Sequence, residues 1–264
     1  MSKADVRDFW DSASCGEALL LSTTDKQGYF QHYTNRYALE EGAIAPFFLD
    51  VRGKKVLEVG VGLGADHHRL SILGAELTGI DLTPRAVEHT KRVAELFDIK
   101  TDVSVGDVEN LTFPENSFDI VFAWGVIHHT PDTQKAAAEI VRVLKPGGEF
   151  RVMIYNKYSI VGLMLWLRYG AIKGMTLDQV YARYLESPGT KAYTTLEAKK
   201  LFSGCENINA DVVLSHADLL SSGAGQRHNG ALIKIARMFW PRWLIRRVFP
   251  NSGLFLRVTG RKPA

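Results

Sequence analysis

The segment Glu58-Val59-Gly60-Val61-Gly62-Leu63-Gly64 constrains this chain more than any other. Its three glycines follow a short strand-like run, Lys55-Val56-Leu57-Glu58-Val59, and precede a helical stretch from about Asp66. A strand that turns through glycines into a helix is a repeating unit of parallel α/β sheets. Glycines let the backbone turn tightly and approach a ligand without a Cβ in the way. The N-terminus of the next helix then offers unpaired N–H groups to an anionic group.

The alternation continues downstream. Glu76 to Asp81, Val103 to Gly106, Phe118 to Trp124 and Glu149 to Tyr155 read as further strands, with a helix over Pro131 to Leu144. Thr83 and Pro84 suit the N-cap and first turn of another helix. Strand-like runs near Asp211 to Leu214 and at Leu254 to Val258 complete the set. The pattern predicts an α/β fold: a seven-stranded, mostly parallel sheet with helices on both faces. Residues 1–50 would form a helical segment ahead of a domain over 51–264, with helical insertions at about 158–204 and 216–250. In the first insertion, Thr194 or Thr195 is placed to cap the helix that follows. In the second, Pro241 should kink or divide a helix across Ala231 to Phe249, with Lys234 and Arg237 on one face.

Composition narrows the setting. With 46% hydrophobic residues over 264 positions, the chain can bury a core without disulfides or metal. Cys15 and Cys205 match no metal-ligand or CxxC spacing, so a reduced, cytoplasmic location is expected. The first ten residues carry charge where a secretory leader needs an apolar core. The most apolar run, Ile160 to Leu167, is too short to span a bilayer.

The net charge of +3 hides a segregation. After Asp218 the chain has no Asp or Glu but nine basic residues: Arg227, Lys234, Arg237, Arg242, Arg246, Arg247, Arg257, Arg261 and Lys262. The first 218 residues therefore carry −6. Two readings stay open: a solvated helix face, or a basic patch for an anionic group or peripheral membrane contact.

The glycine loop alone does not choose a ligand. Gly60, Gly62 and Ala65 also fit the dinucleotide fingerprint, with Asp81 about 20 residues on, as in nicotinamide sites. The wider set does choose. Val56 to Gly64 resembles motif I of the class I, Rossmann-like S-adenosylmethionine (SAM)-dependent methyltransferases of small molecules. Gly79-Ile80-Asp81-Leu82-Thr83-Pro84 is similar to that family's second-strand motif, and Gly106-Asp107-Val108-Glu109 to its adenine segment. Phe118 to Val121 with Trp124 to His129 resembles its fourth strand, and Leu144-Lys145-Pro146-Gly147-Gly148 the turn before its fifth.

The resemblance implies roles that elementary chemistry supports. Gly60, Val61, Gly62 and Gly64 would cradle SAM, with Glu58 orienting the loop and contacting the amino-acid end directly or through water. Asp81 would take both ribose hydroxyls, since a carboxylate offers two acceptor oxygens. Asp107 would accept from the adenine amine, with Leu82 and Val108 on the ring faces, and Trp124 would join the cofactor wall. The product would be S-adenosylhomocysteine.

His128 and His129 fall at that family's active-site floor. A histidine there could act as base; alternatively one packs in the core while the other bonds backbone. Tyr33 and Arg36, three apart in an N-terminal segment that would fold over SAM as a lid, could point together at cofactor or substrate. They could equally pack a surface helix. Leu163, Met164, Trp166, Leu167, Tyr169, Met238, Phe239, Trp240 and Trp243 either line a pocket for an acceptor with an apolar body or form insertion core.

The fourth strand is not followed by the Asn/Asp-Pro-Pro-Tyr of nucleic-acid amino-methylating enzymes, neither cysteine sits as a cytosine-C5 nucleophile, and no carboxylate set marks a catechol-type metal site. The expectation is methylation of a small molecule, with no nucleic-acid partner and no metal. Non-methyl SAM chemistry such as cyclisation, or a non-catalytic SAM-binding membrane module, are the alternatives, and oligomeric state is left open.

Overall fold

The computed structural model describes residues 2–221 and 238–264. Seven strands, β1 (Lys55–Val59), β2 (Glu76–Asp81), β3 (Thr101–Val105), β4 (Phe118–Trp124), β5 (Leu144–Tyr155), β6 (Glu206–Val213) and β7 (Phe255–Arg261), form one sheet. Their order is β3-β2-β1-β4-β5-β7-β6. β1 to β5 pair in parallel, and β7 runs antiparallel to both β5 and β6. The expected mostly parallel α/β sheet is present.

Sheet register explains the layers. On β1, Val56 pairs with Leu77 and Ile120, and its neighbour Leu57 with Thr78 and Val121. Successive side chains point to opposite faces, so alternate residues feed two separate cores. One face packs Leu57, Val121 and Ala123 against Ala136, Ala137, Ile140 and Val143 of the helix Thr133–Val143. The other packs Val56, Ile120, Phe122 and Met153 against Phe47, Phe48 and the insertion residues Val161, Leu165, Val180 and Tyr181. Burial on both sides is why the central strands read as near-continuous apolar runs.

The helices follow local signals. Thr83 Oγ1 accepts the Ala86 N–H at 3.3 Å to cap α5 (Pro84–Phe97), with Pro84 in the first turn. Ahead of the sheet lie α1 (Lys3–Ser12), α2 (Glu17–Leu20) and α3 (Lys26–Ile44). Ser2 and Asp5 close a capping box on α1, and Tyr29 and Tyr33 of α3 pack on Ala65 and Val93 of the sheet domain.

Several sequence boundaries move. Pro146-Gly147-Gly148 does not precede β5 but lies within it, where the register with β4 slips between Phe118 and Ile120. The Gly147 N–H donates to the Lys262 carbonyl at 2.9 Å, so pairing with the end of β7 carries the strand through the turn. β3 starts two residues earlier than its apolar run, at Thr101, because an edge strand needs only one buried face. β6 and β7 are likewise longer than their apolar cores.

The helix α9 (Thr195–Leu201), placed in the first insertion by pattern, belongs to the sheet layer. Ala198 is buried on it, and Phe202 just beyond stacks on Phe150 of β5 at 4.0 Å. Thr194, not Thr195, caps it. The insertion proper holds α7 (Ile160–Leu165), a π turn over Trp166–Gly170, and α8 (Leu177–Tyr184).

In the second insertion, Pro241 sits at the N-cap of a short helix, Arg242–Val248. Arg227, Lys234, Arg237 and the start of the helix expected across Pro241 lie outside the described residues. Of the remaining basic residues, three are spent inside the fold. Arg242 donates to the Leu219 and Leu220 carbonyls, Arg257 pairs with Asp211, and Lys262 donates to the Arg142 and Leu144 carbonyls. Arg246 and Arg247 are exposed. No helix among the described residues is long and apolar enough to cross a membrane.

Candidate functional site

The C-terminal ends of β1, β2, β3 and β4 meet where strand order reverses, between β1 and β4, the place where open α/β sheets bind ligands. A cavity of about 780 Å³ opens there and is lined by Gly60, Gly62, Asp81, Leu82, Asp107, Val108 and Trp124. Its size falls within the ~300–1,000 Å³ typical of ligand pockets.

The glycine loop is shaped for close approach. Gly60 has φ 78, and a Cβ there would come within 2.3 Å of Val126. Gly62 has φ 53, its N–H donates to Asp81 Oδ2 at 3.2 Å, and a Cβ on it would meet only open space. The second oxygen, Asp81 Oδ1, accepts from the Thr83 N–H and hydroxyl, both at 2.9 Å. Burial raises the Asp81 pKa, against the pull of the Thr83 and Gly62 hydrogen bonds. The carboxylate is thus held in place on the cavity wall. These features fit the diol and backbone contacts of the cofactor that the motifs imply.

The other cofactor candidates divide. Val61, Val108, Leu82 and Trp124 line the cavity. Asp107 does too, but its Oδ2 already takes Lys3 Nζ of α1 at 2.5 Å, while Oδ1 accepts the Glu109 N–H at 2.9 Å. An adenine amine would share that carboxylate with Lys3. Glu58 is not on the wall. It is buried against His67 Nδ1 at 2.7 Å, and burial pushes its pKa up against that hydrogen bond. Gly64 also stands back from the wall, as the N-cap of α4 (Ala65–Ile72), beside Thr90 and Val93. Direct contact between Glu58 and the amino-acid end is therefore not what the structure displays; Glu58 anchors His67 behind the loop.

Tyr33 and Arg36 meet different partners. Tyr33 is buried, with its hydroxyl 3.4 Å from the Leu63 carbonyl, whereas Arg36 lines the cavity. The Arg36 guanidinium makes a two-pronged pair with Asp66, at 2.6 and 2.7 Å, and lies 3.4 Å from Glu40. Burial opposes its charge, but Asp66 and Glu40 more than compensate and raise its pKa.

The histidine pair also divides. His128 is fully buried with both ring nitrogens unpartnered, 4.1 Å from the His129 and Tyr155 rings, and burial pushes its pKa far down. His129 faces the cavity side: Nε2 lies 3.4 Å from Glu186 Oε2, and Nδ1 lies 2.8 Å from Ser187 Oγ. If Nε2 donates to the carboxylate, Nδ1 accepts from the serine hydroxyl. Tyr155 donates to the same Glu186 oxygen at 2.7 Å.

Several wall residues carried no sequence signal. Glu186 stands in the turn after α8, Trp10 comes from α1, His32 and Glu40 from α3, and His216 from the loop after β6. Nothing in their neighbourhoods marks them as site residues, because each reaches the cavity only through tertiary packing. A potential ligand atom from each of His128, His129 and Glu186 lies within 4.8 Å of the others, a grouping that needs Glu186 to be seen. Tyr155 already donates to Glu186 Oε2, and His129 Nε2 lies 3.4 Å from that oxygen.

Of the insertion aromatics and aliphatics, Met164 and Trp240 line the cavity. Trp166 and Tyr169 pack into the second core, while Leu163, Leu167, Met238, Phe239 and Trp243 are exposed.

Residues 57–152 match the family described as a methyltransferase domain. The chain is 35% identical over 107 residues to phosphoethanolamine N-methyltransferase 2 of Caenorhabditis elegans, across 40% of this chain and 24% of that one. It is 31% identical over 120 residues to the ubiquinone biosynthesis O-methyltransferase of Coxiella burnetii, across 43% of this chain and 51% of that one. It thus spans about half, or less, of these relatives' lengths. Among solved structures, phosphoethanolamine N-methyltransferase 2 of Haemonchus contortus has the same fold, with TM-score 0.64 at 20% identity, covering 98% of this chain and 60% of that one.

Proposed function

The domain over residues 57–152 is that of a class I SAM-dependent methyltransferase, and we propose that this chain transfers the methyl group of SAM to a small-molecule acceptor with an apolar body. The observation that carries the reading is the continuity of the cavity. One space joins the cofactor wall of Gly60, Gly62 and Asp81 to a second wall of Val161, Met164, Leu165, Leu185, Leu254 and Phe255. A pocket meant for the cofactor alone would need no such apolar extension.

SAM, when bound, supplies a methyl group already activated on its sulfonium. What the chain must add is position: holding an acceptor atom in line behind that methyl can contribute roughly 7–11 kcal/mol. Asp81 would hold the ribose, the Gly60–Gly62 backbone the amino-acid end, and Asp107 with Leu82 and Val108 the adenine. Trp10, Phe9 and Val6 of α1 cover the cavity from the N-terminal side and would exclude water, the office of a lid.

Calorimetry with S-adenosylhomocysteine tests the cofactor reading; a screen of amphipathic acceptors for S-adenosylhomocysteine release tests the transfer. Methylthioadenosine as product, or turnover with SAM left intact, would replace methyl transfer by another SAM chemistry. Cytoplasmic location, and peripheral membrane contact through Arg246 and Arg247, belong to this proposal as well. Loss of vesicle binding in Arg246→Glu/Arg247→Glu would support the contact.

A further inference from the structure

We propose that the acceptor end of the cavity is built for a protonated amine, with Glu186 as the counter-ion that holds it. The inference rests on the methyl-transfer reading above and specifies its acceptor.

Among the described residues the cavity wall carries five carboxylates, Glu40, Asp66, Asp81, Asp107 and Glu186, and three permanent cations, Lys3, Arg36 and Arg168. Lys3 answers Asp107, and Arg36 answers Asp66 and stands near Glu40. Arg168 lies at the exposed rim with its guanidinium over Tyr169. Asp81 is met by the neutral Thr83 and Gly62 donors, and Glu186 is the wall carboxylate left without a permanent cation among the described residues. Among the described residues its ion-pair partner is His129.

The geometry keeps Glu186 ionised and available. Tyr155 donates to Oε2 at 2.7 Å and His129 Nε2 lies 3.4 Å from the same oxygen, so no hydrogen bond from the described residues falls on Oε1. Burial works against the charge, but His129, Tyr155 and nearby His216 outweigh it and hold the Glu186 pKa below the usual carboxylate range. Its side chain is 32% exposed, and the exposure is to the cavity. The Tyr155 ring stands beside it, and Trp10 packs edge-on against its partner His129 at 5.2 Å. An anion beside an aromatic ring, away from bulk water, complements an ammonium.

Two further groups point the same way. His32 lines the cavity at 2% exposure with both ring nitrogens unpartnered, and His216 presents a buried, unpartnered Nδ1 beside Glu186. Burial, and then Arg36, push the His32 pKa down to about 4, so it adds no positive charge at neutral pH. Both can accept from an N–H donor. In turnover Glu186 would hold the ammonium in place while it releases one proton to solvent. The freed nitrogen lone pair would then bond the methyl carbon, and the methyl's bond to sulfur would break with its electron pair left on sulfur, leaving S-adenosylhomocysteine and the methylated amine.

The test is calorimetry on the full chain, with and without saturating S-adenosylhomocysteine. Three probes share one apolar body: 4-phenylbutylamine, 4-phenylbutan-1-ol and 4-phenylbutyrate. The amine is expected to bind about tenfold or more tighter than the other two. Glu186→Gln should erase that preference while S-adenosylhomocysteine affinity stays within about twofold. Equal binding of alcohol and amine, binding of none of the three, or an unchanged preference in Glu186→Gln would overturn the proposal. So would a variant that loses affinity for SAM but not for S-adenosylhomocysteine, because Glu186 would then serve the sulfonium. Failure of wild type to bind S-adenosylhomocysteine would strike the cofactor reading alone, since the amine preference is also read without it.

Discussion

The two ends of the cavity are built on different principles. At the cofactor end, the named wall residues sit at the ends of parallel strands or in the loops beyond them, and Asp81 is tied to backbone nearby. Asp81 accepts from Thr83 two residues on and from Gly62 of the neighbouring strand's loop. At the acceptor end, the walls come from α1, α3, the insertion after β5 and the loop after β6. There, polar atoms are left unsatisfied: His32 lacks partners on both nitrogens and His216 on one. A buried polar group without a partner costs about 1–3 kcal/mol, so such groups persist where a ligand completes them or where packing elsewhere outweighs the cost. The contrast teaches that the cofactor end is preorganised by the sheet, while the acceptor end is open in both shape and hydrogen bonding.

Substitutions can break or sharpen this contrast. The largest effect is expected at Asp81→Ala. Losing two charge-assisted hydrogen bonds of about 1.5–3 kcal/mol each would weaken S-adenosylhomocysteine binding by about 100-fold or more in calorimetry. An unchanged affinity would mean that the sheet end is not preorganised for this cofactor.

Gly60→Ala comes next. Its φ of 78 and a Cβ 2.3 Å from Val126 should together cost roughly 2–5 kcal/mol of stability, read by chemical denaturation. A stability near that of the wild type would show that the loop is softer than its contacts imply.

A smaller change is expected where the N-terminal segment is latched to the sheet domain. Arg85 donates to Glu17 at 2.8 and 2.5 Å, and its backbone N–H donates to Asp11 at 3.1 Å. Arg85→Ala should cost about 1 kcal/mol or less, since the pair is partly exposed. The Arg85 hydrogen bond holds the Glu17 pKa down at about 2, below its ordinary 4.5. A depressed carboxylate stabilises the fold above its unfolded pKa and loses that contribution as pH falls. The gap between wild type and Arg85→Ala should therefore be full above pH 4.5 and narrow as pH drops towards 2.

The subtlest test concerns His32. Its folded pKa of about 4 lies below the ordinary 6.5, so the unfolded chain binds the extra proton between those values. Stability should be complete above pH 6.5 and decline between 6.5 and 4, and His32→Gln should flatten that slope in thermal melts. An unchanged slope would place the acid sensitivity elsewhere, at the cofactor end included.

Much of the cofactor end was legible in sequence because it is local. A strand, a glycine turn and a helix cap are encoded within a few residues, and β1, β2 and β4 have the boundaries that their apolar runs predict. Glu58 shows the limit of motif reading. It sits at the expected place in β1, yet its carboxylate turns to His67, because a charge inside a central strand needs a buried partner. Tyr33 and Arg36 show another limit. Their spacing puts them on one helix face, but only the position of α4 sends Arg36 to Asp66 and Tyr33 to Leu63. The first insertion lost α9 for the same reason: helical periodicity identifies a helix, not the layer it packs in.

By itself the sequence determined the strand-and-helix alternation, the strand ends that carry Gly60, Asp81 and Asp107, and the family of the domain they compose. These depend on backbone geometry and residue type over short spans, where glycine, capping and apolar periodicity act directly. Tertiary structure alone decided which of two adjacent histidines faces the cavity and that Glu186 meets His129 and Tyr155. It also decided that Lys3, more than a hundred residues before its partner's strand has returned through the sheet, reaches Asp107. Such pairings join segments with no shared local signal. They are set by how helices outside the sheet pack against it, which is a property of the whole core.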